Sequence, residues 1–257
     1  MKKLSYLILL SVLALTCASC ARISPRPPVY APKTYPAIPP PQEVPSARYD
    51  ASHVVAPGET VWRLAKMYDV SMESIIEKNK LKKPDRLSIG QKLVIPQAAQ
   101  IKPVVPLYPS DTWKYIIIHH SATDEGNALC FNEGHKKRGF YRGLGYHFVI
   151  DNGTLEKTDG QIEVSPRWLK QEVGAHCKAS KMNYRSIGIC LVGNFDIEQV
   201  TSRQMDSLIY LVRRLKDYYH ISPKNILGHG QVRGAKTNCP GKKFPWEEFK
   251  RRLTSGS

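Results

Sequence analysis

Apolar residues in the second half of the chain follow patterns that alternate between strands and helices. Tyr115-Ile-Ile-Ile-His119-His is a continuous apolar run that ends in two histidines, which is typical of a buried strand. The patterns predict strands at 114–119, 146–150, 154–157, 186–192 and 226–228, and helices at 127–137, from 201 onward and at 245–253. Strands and helices alternate without strict order, so we expect an α/β fold with a mixed central sheet flanked by helices.

Two local signals support the last helices. Thr201-Ser-Arg-Gln204 is a capping box, and the residues after it form one apolar helical face at Met205, Leu208, Ile209, Val212 and Leu215. Pro245 suits the first turn of the final helix.

A smaller pattern covers residues 53–96. Val54-Val55 predicts a short strand, Thr60 and Ser71 are suited to cap two helices, and Gly90–Pro96 turns into a closing strand. We therefore expect a small βααβ module ahead of the larger domain.

The motifs of this module resemble the LysM domain over its full length: Gly58-Glu-Thr-Val-Trp62, Asn79, Gly90-Gln91 and Ile95-Pro96. The resemblance implies binding to N-acetylglucosamine-containing glycan in a groove between the loops 57–60 and 81–89. We expect Trp62 and Tyr68 to pack in the core, because they recur at helical spacing with Leu64 and Ala65. The module has no recognisable acid–base pair or metal cluster, so we expect it to supply affinity rather than chemistry.

The N-terminus is typical of an export signal at 1–19. Met1-Lys-Lys is basic and Leu4–Leu15 is mostly apolar, but this run is shorter than a typical membrane span. Cys20 follows small residues that resemble a bacterial lipobox, which implies cleavage before Cys20 and lipidation of its thiol. Cys17 is a weaker candidate, and a plain signal peptide with incidental cysteines is the alternative. Ala21 is not the Asp associated with inner-membrane retention, which in a Gram-negative cell implies the outer membrane, facing the periplasm.

Two proline-rich segments separate these regions. The tether at 20–52 carries nine of the nineteen prolines and no apolar periodicity, so it cannot form a core. A shorter linker at 97–110 leads to the main domain at 111–257. The net charge of +16 indicates an anionic partner, such as a cell-wall polymer, nucleic acid or lipid headgroups. No nucleic-acid motif is present, and the export signal argues against that partner.

Candidate metal ligands stand at both ends of the main domain. His119 ends the first strand, and His229 and Cys239 lie ten residues apart after the run Ile226-Leu-Gly. Two imidazoles and one thiolate, with an open fourth position, are the arrangement of a catalytic zinc site.

Six motifs of this domain resemble the type 2 N-acetylmuramoyl-L-alanine amidases, which include the peptidoglycan recognition proteins and the phage lysozyme-type amidases. The motifs are Ile117-Ile-His119-His-Ser-Ala-Thr123, Gly145-Tyr146-His-Phe-Val-Ile150, Gly174-Ala-His176, Asn183-Tyr-Arg-Ser-Ile-Gly188, Gly193-Asn-Phe195 and Gly228-His229 with Cys239-Pro-Gly241. The resemblance covers Trp113 to about Leu253. It implies a zinc amidase, in which zinc-activated water cleaves between the lactyl group of N-acetylmuramic acid and L-alanine.

The resemblance also assigns the ligands. His119 and His120 are neighbours on a strand and point to opposite faces, and the family pattern selects His119. His120 is then structural. The spacing of His229 and Cys239 is longer than is typical of the family, so we expect an extended loop at Arg233–Thr237.

Further roles are implied by the same resemblance. Tyr146 matches the tyrosine that assists proton transfer in phage-type amidases, although an ordinary strand aromatic is the alternative. Thr237 matches the residue that stabilises the developing oxyanion, and Lys236 replaces it if the longer loop shifts the register. His176 and Asn183 match positions of the substrate cleft.

The remaining cysteines allow at most one disulfide bond beside a thiolate ligand. Cys190 lies inside the apolar strand and is expected to be a small buried hydrophobe. Cys130 and Cys177 are a possible pair in an oxidising compartment.

Two other functional classes remain open: a non-catalytic recognition protein on the same fold, and a scaffold lipoprotein that holds the outer membrane to the wall. For the enzyme, intact peptidoglycan and soluble anhydro-muropeptides are both compatible substrates. We expect the protein to act as a monomer.

Overall fold

The computed structural model describes residues 47–255. The predicted signal at 1–19, the lipidation candidate Cys20 and most of the tether at 20–52 lie outside the described residues. Within 47–255, no helix is long and apolar enough to cross a membrane.

The first module contains two antiparallel strands and two helices in the predicted βααβ order. Its elements are β1 (Tyr49–Val54), α1 (Val61–Tyr68), α2 (Met72–Lys78) and β2 (Lys92–Ala98). The side chains of Thr60 and Ser71 cap the two helices by accepting hydrogen bonds from Arg63 N and Ser74 N, as predicted. Strand β1 begins earlier than expected, and β2 continues two residues beyond Pro96.

Only one of the two aromatic residues expected in this core lies there. Tyr68 is 4% exposed, whereas Trp62 is 54% exposed, so the expectation for Trp62 is wrong. The apolar face of α1 runs through Val61, Leu64 and Tyr68. Trp62 lies one position after Val61, about 100° around the helix, and shares the exposed face with Lys66.

The larger domain is built on a five-stranded mixed sheet with the order β5-β4-β6-β3-β7. Its strands are β3 (Tyr115–His120), β4 (Phe148–Ile150), β5 (Ile162–Val164), β6 (Ser186–Leu191) and β7 (Ile226–Gly228). Only β5 runs antiparallel to its neighbour, β4. The α/β fold with a mixed central sheet is therefore confirmed.

One predicted strand is wrong and one strand was missed. Residues 154–157 form a turn, in which Leu155 and Glu156 adopt positive φ angles of 50° and 60°. The edge strand is β5, whose central Glu163 is 2% exposed. Because Glu163 is the middle residue of a three-residue strand, the sequence of β5 shows no continuous apolar run.

Helices cover the sheet. They are α3 (Ala128–Lys137), α4 (Pro166–Leu169), α5 (Ser202–Tyr219) and α6 (Trp246–Thr254). The capping box of Thr201 and Gln204 is present, and the predicted face of α5 is buried. Helix α6 begins just after Pro245, and α4 was not predicted.

The segment predicted as a linker, 97–110, packs on both modules. Ala98 and Val104 contact the core of the first module, and Val105 belongs to the core of the second. Pro106 O accepts a hydrogen bond of 2.7 Å from Trp168 Nε1. The two modules share one compact unit.

Candidate active site

Three side chains that are distant in sequence converge at the carboxyl end of the parallel strands. His119 lies near the end of β3, His229 directly follows β7, and Cys239 lies in the loop beyond. One ligand atom from each residue lies within 4.8 Å of the others. His119 Nδ1 lies 3.6 Å from Cys239 Sγ. The fold thus brings together all three residues that the sequence singles out as metal ligands.

The chemistry of these donors fits a zinc ion. Burial, followed by the neighbouring His176 and His229, lowers the pKa of His119 well below its usual value, so its imidazole is neutral and able to coordinate. Burial raises the pKa of Cys239 to about 12. A thiol in that environment keeps its proton unless a cation takes its place, as a bound metal does.

The other ring nitrogen of His119, Nε2, also has a hydrogen-bonding partner. His119 Nε2 lies 3.0 Å from His176 Nδ1. The backbone N–H groups of His176 and Cys177 donate to Asn183 Oδ1 at 2.8 and 2.7 Å. His176 and Asn183, expected in the substrate cleft, are thus also connected to a candidate metal ligand.

His120 faces the other side of β3. Its Nδ1 accepts a hydrogen bond of 3.2 Å from Phe195 N, and its own N–H donates to Cys239 Sγ at 3.4 Å. Both contacts are structural, and the second orients the sulfur.

Tyr146 lies beside the candidate ligands, just before β4. Its ring centroid is 5.2 Å from that of His119 and 6.4 Å from that of His176. Burial, together with Cys190 and Cys239, raises the pKa of Tyr146 well above its usual value. The phenol therefore carries its proton at neutral pH.

Two cavities meet at Phe140, Ala175 and His176 and form one cleft. The first, of about 350 Å³, is further lined by Ser121, Thr123, Phe131, His135, Arg138 and Tyr146. The second, of about 620 Å³, is further lined by Cys177, Lys178, Ala179, Asn183, His229, Gly234, Ala235 and Lys236. The cleft therefore carries cationic side chains along both halves.

Comparison with known proteins identifies the family. The N-acetylmuramoyl-L-alanine amidase family model matches residues 109–242, and the LysM family model matches residues 53–96. This chain belongs to the N-acetylmuramoyl-L-alanine amidase family.

Similar proteins come from phages, animals and bacteria. The endolysin of Enterobacteria phage T3 is 35% identical over 144 residues, which are 53% of this chain and 85% of the endolysin. Peptidoglycan-recognition protein SC2 of Drosophila melanogaster is 29% identical over 145 residues, covering 53% of this chain and 72% of that protein. Among solved structures, the N-acetylmuramoyl-L-alanine amidase LysC from Clostridium intestinale is 37% identical, with a TM-score of 0.47, and covers 59% of this chain and 92% of that one.

The two oxyanion candidates of the amidase occupy different places. Lys236 lines the larger cavity together with His229. Thr237 Oγ1 instead accepts a hydrogen bond of 3.1 Å from Cys239 N, and Thr237 is absent from the described lining of both cavities. The structure therefore places Lys236, rather than Thr237, in the cleft.

Two histidines that the sequence left without a role brace the amidase cleft. His135 Nδ1 accepts from Gly145 N at 2.9 Å. His147 Nδ1 accepts from Gly188 N at 2.9 Å, and its Nε2 donates to Glu172 O at 3.0 Å. Burial lowers the pKa of both histidines to about 4, so each is a neutral acceptor at pH 7. No sequence pattern assigns these roles, because both histidines act through backbone groups.

The two cysteines considered as a possible disulfide pair are not bonded to each other. Cys130 is exposed, Cys177 is buried, and both are free, so the possible disulfide bond is absent. Cys190 is fully buried in β6, as expected.

Proposed function

We propose that this amidase hydrolyses the bond between the lactyl group of N-acetylmuramic acid and L-alanine of the stem peptide, with zinc held by His119, His229 and Cys239. The convergence of these three side chains on one potential metal position, with His229 also lining the cleft, carries the proposal. Membership of the amidase family supports the reaction class. A bound zinc ion supplies Lewis acidity toward the scissile carbonyl and toward water.

Tyr146 is the proposed proton-transfer residue. The leaving group is an amine, which must gain a proton before it departs. Tyr146 lines the cleft, and its ring contacts the ring of His119. Its hydroxyl therefore supplies a proton beside the candidate metal ligands. Its hydroxyl also orients the attacking oxygen by hydrogen bonding.

Lys236 is the proposed oxyanion-stabilising residue. The carbonyl oxygen gains negative charge during attack, and a cation beside it lowers the barrier. The position of Lys236 beside His229 in the cavity supports this role. Thr237 remains the second candidate, because it matches the family position.

The cleft is proposed to bind the stem peptide. Arg138, Lys178 and Lys236 line it, and their positive charge suits the carboxylates of a peptide. His176 and Asn183 are proposed to contact the same ligand, and the LysM module to bind glycan. We further propose a monomer that lipid on Cys20 anchors in the outer membrane, facing the periplasm.

Replacement of one ligand tests the proposal. Cys239→Ala should lose stoichiometric zinc and the release of L-alanine N-termini from purified sacculi. Cys130→Ala, which removes an exposed thiol outside the cleft, should keep both. Full zinc occupancy in Cys239→Ala would overturn the ligand set. A wild-type chain that binds sacculi and zinc but releases no L-alanine N-termini would indicate a recognition protein.

A further inference from the structure

We propose that the first loop of the LysM module, Val54–Glu59, is a structural part of the amidase site and holds the wall that carries Tyr146. The module would then act on turnover as well as on wall affinity. This inference rests on the proposed function of the same cleft.

Ala56 is the first link. It is 2% exposed and belongs to an apolar cluster whose other buried members all come from the amidase: Ala128, Leu144, Val149 and Val192. Phe131 and Tyr146, which line the cleft, pack against the same cluster. Ala56 thus fills a tight space directly behind the cleft, where a larger side chain would force its neighbours to shift.

A buried ion pair is the second link. Lys157 Nζ donates to Val54 O at 3.2 Å and lies 2.9 Å from Glu163 Oε2, and both side chains are 1% exposed. Glu163 Oε1 accepts a hydrogen bond of 2.5 Å from Ala128 N, the first residue of α3. The backbone of the module, the ion pair and the start of α3 are therefore joined. Such a pair needs every partner, because an uncompensated buried charge is strongly destabilising.

Helix α3 passes this constraint to the residues before Tyr146. Asn132 Oδ1 accepts from Leu144 N at 3.1 Å, and His135 Nδ1 accepts from Gly145 N at 2.9 Å. Leu144 and Gly145 immediately precede Tyr146. A shift of α3 therefore moves the backbone that positions the Tyr146 hydroxyl.

The same contact covers one wall of the expected glycan groove. A Cβ on Gly58 would lie 2.9 Å from Leu169 Cδ1 and 3.5 Å from Pro166 Cγ, so this loop sits tightly against α4. Pro57 and Glu59 are buried, while most residues of the loop 81–89 remain exposed. The LysM resemblance assigns the loop at 57–60 to glycan binding. Two of its residues are buried and Gly58 lies against α4, while Thr60 remains exposed.

A graded series at Ala56 in the full chain tests the inference. Ala56→Gly should stay near wild type, Ala56→Val should be intermediate, and Ala56→Gln should show the largest effect. The substrate is a small soluble muramoyl peptide without polymeric glycan. We expect kcat to fall by about tenfold or more in Ala56→Gln, since small misplacements of catalytic groups cost up to about 10²-fold, while KM and zinc content change little. Lys66→Gln, on the exposed face of α1, is the matched control and should leave kcat unchanged.

Amide hydrogen exchange gives a readout that is independent of catalysis. Exchange at α3, Leu144 and Gly145 should be faster in Ala56→Val and Ala56→Gln than in wild type and in Lys66→Gln. The inference would be overturned if the Ala56→Val and Ala56→Gln proteins fold and both show the amide exchange and the kcat of the wild-type protein. If the exchange responds while the wild-type chain has no amidase activity, the proposed function fails and the coupling of the loop to the cleft stands.

Discussion

His119 Nε2 lies 3.0 Å from His176 Nδ1, on the edge of the ring opposite the nitrogen that faces Cys239. His176 is itself fixed, because Asn183 Oδ1 accepts the backbone N–H groups of His176 and of the next residue. The candidate metal ligand is therefore oriented by a residue of the substrate cleft. A contact of this kind restricts rotation of the ligand ring before any ion binds.

Replacement of His176 is therefore expected to weaken zinc binding. Loss of a partner that orients a metal ligand typically costs about 10- to 100-fold in affinity. Competition with a chelator should show this loss in His176→Ala and a smaller loss in His176→Gln, whose amide can still bond to His119. Wild-type zinc affinity with a raised KM would restrict His176 to substrate binding.

Tyr146→Phe should remove proton transfer without removing the metal. General acid–base help contributes about 10² to 10⁴ in rate, so we expect turnover to fall by about two to three orders of magnitude. Zinc content and KM should stay near wild type. Tyr141→Phe is the matched control, because Tyr141 is 85% exposed. A loss in Tyr146→Phe below about threefold, outside the range for such help, would make Tyr146 a packing residue.

Lys236 and Thr237 can be separated by single substitutions. Removal of one oxyanion-stabilising group costs about 10²- to 10³-fold in kcat, and Lys236→Ala should show a loss of that size. Thr237→Val should lose less, because Thr237 bonds to the backbone of Cys239 and does not line the described cleft. The measurement is kcat of both variants on one soluble substrate. A larger loss in Thr237→Val than in Lys236→Ala would assign the oxyanion-stabilising role to Thr237.

Acid should destabilise the fold through His147. Its folded-state pKa of about 4 lies below the unfolded value of about 6.5, so its contribution is complete above pH 6.5 and is lost as the pH falls toward 4. Between pH 7 and 4.5 this single group should cost about 2 to 3 kcal/mol of unfolding free energy. Denaturant unfolding of the metal-free chain should show a correspondingly shallower pH dependence in His147→Gln. Equal pH dependence in both proteins would mean that His147 titrates normally.

The metal ligands could be predicted because sequence motifs fix their residue types and their places at strand ends. His119 ends an apolar run, and His229 follows a short strand. The surroundings of the cleft could not be predicted in the same way. His135 and His147 act through backbone partners, Gly145 and Gly188, which become neighbours only after the sheet forms.

Buried charge accounts for one error in the fold. Burial of charge depends on a partner from elsewhere, and the local pattern does not show that partner. Glu163 is buried in β5 with Lys157 beside it, and this charged residue interrupts the apolar pattern that would have indicated β5. A separate departure from hydropathy is that Arg63 is 4% exposed while its neighbour Trp62 is 54% exposed.

The two adjacent histidines of β3 show where the identity of the metal ligand is encoded. Strand β3 is hydrogen-bonded to β6 on one side and β7 on the other, with His119 opposite Cys190. A slip of one residue would turn His120 toward the cleft and His119 toward Phe195, exchanging two identical side chains. A single-residue insertion in β3 would thus preserve the His-His motif and still shift the pairing register of β3 with β6 and β7. The ligand is selected by backbone pairing rather than by side-chain chemistry.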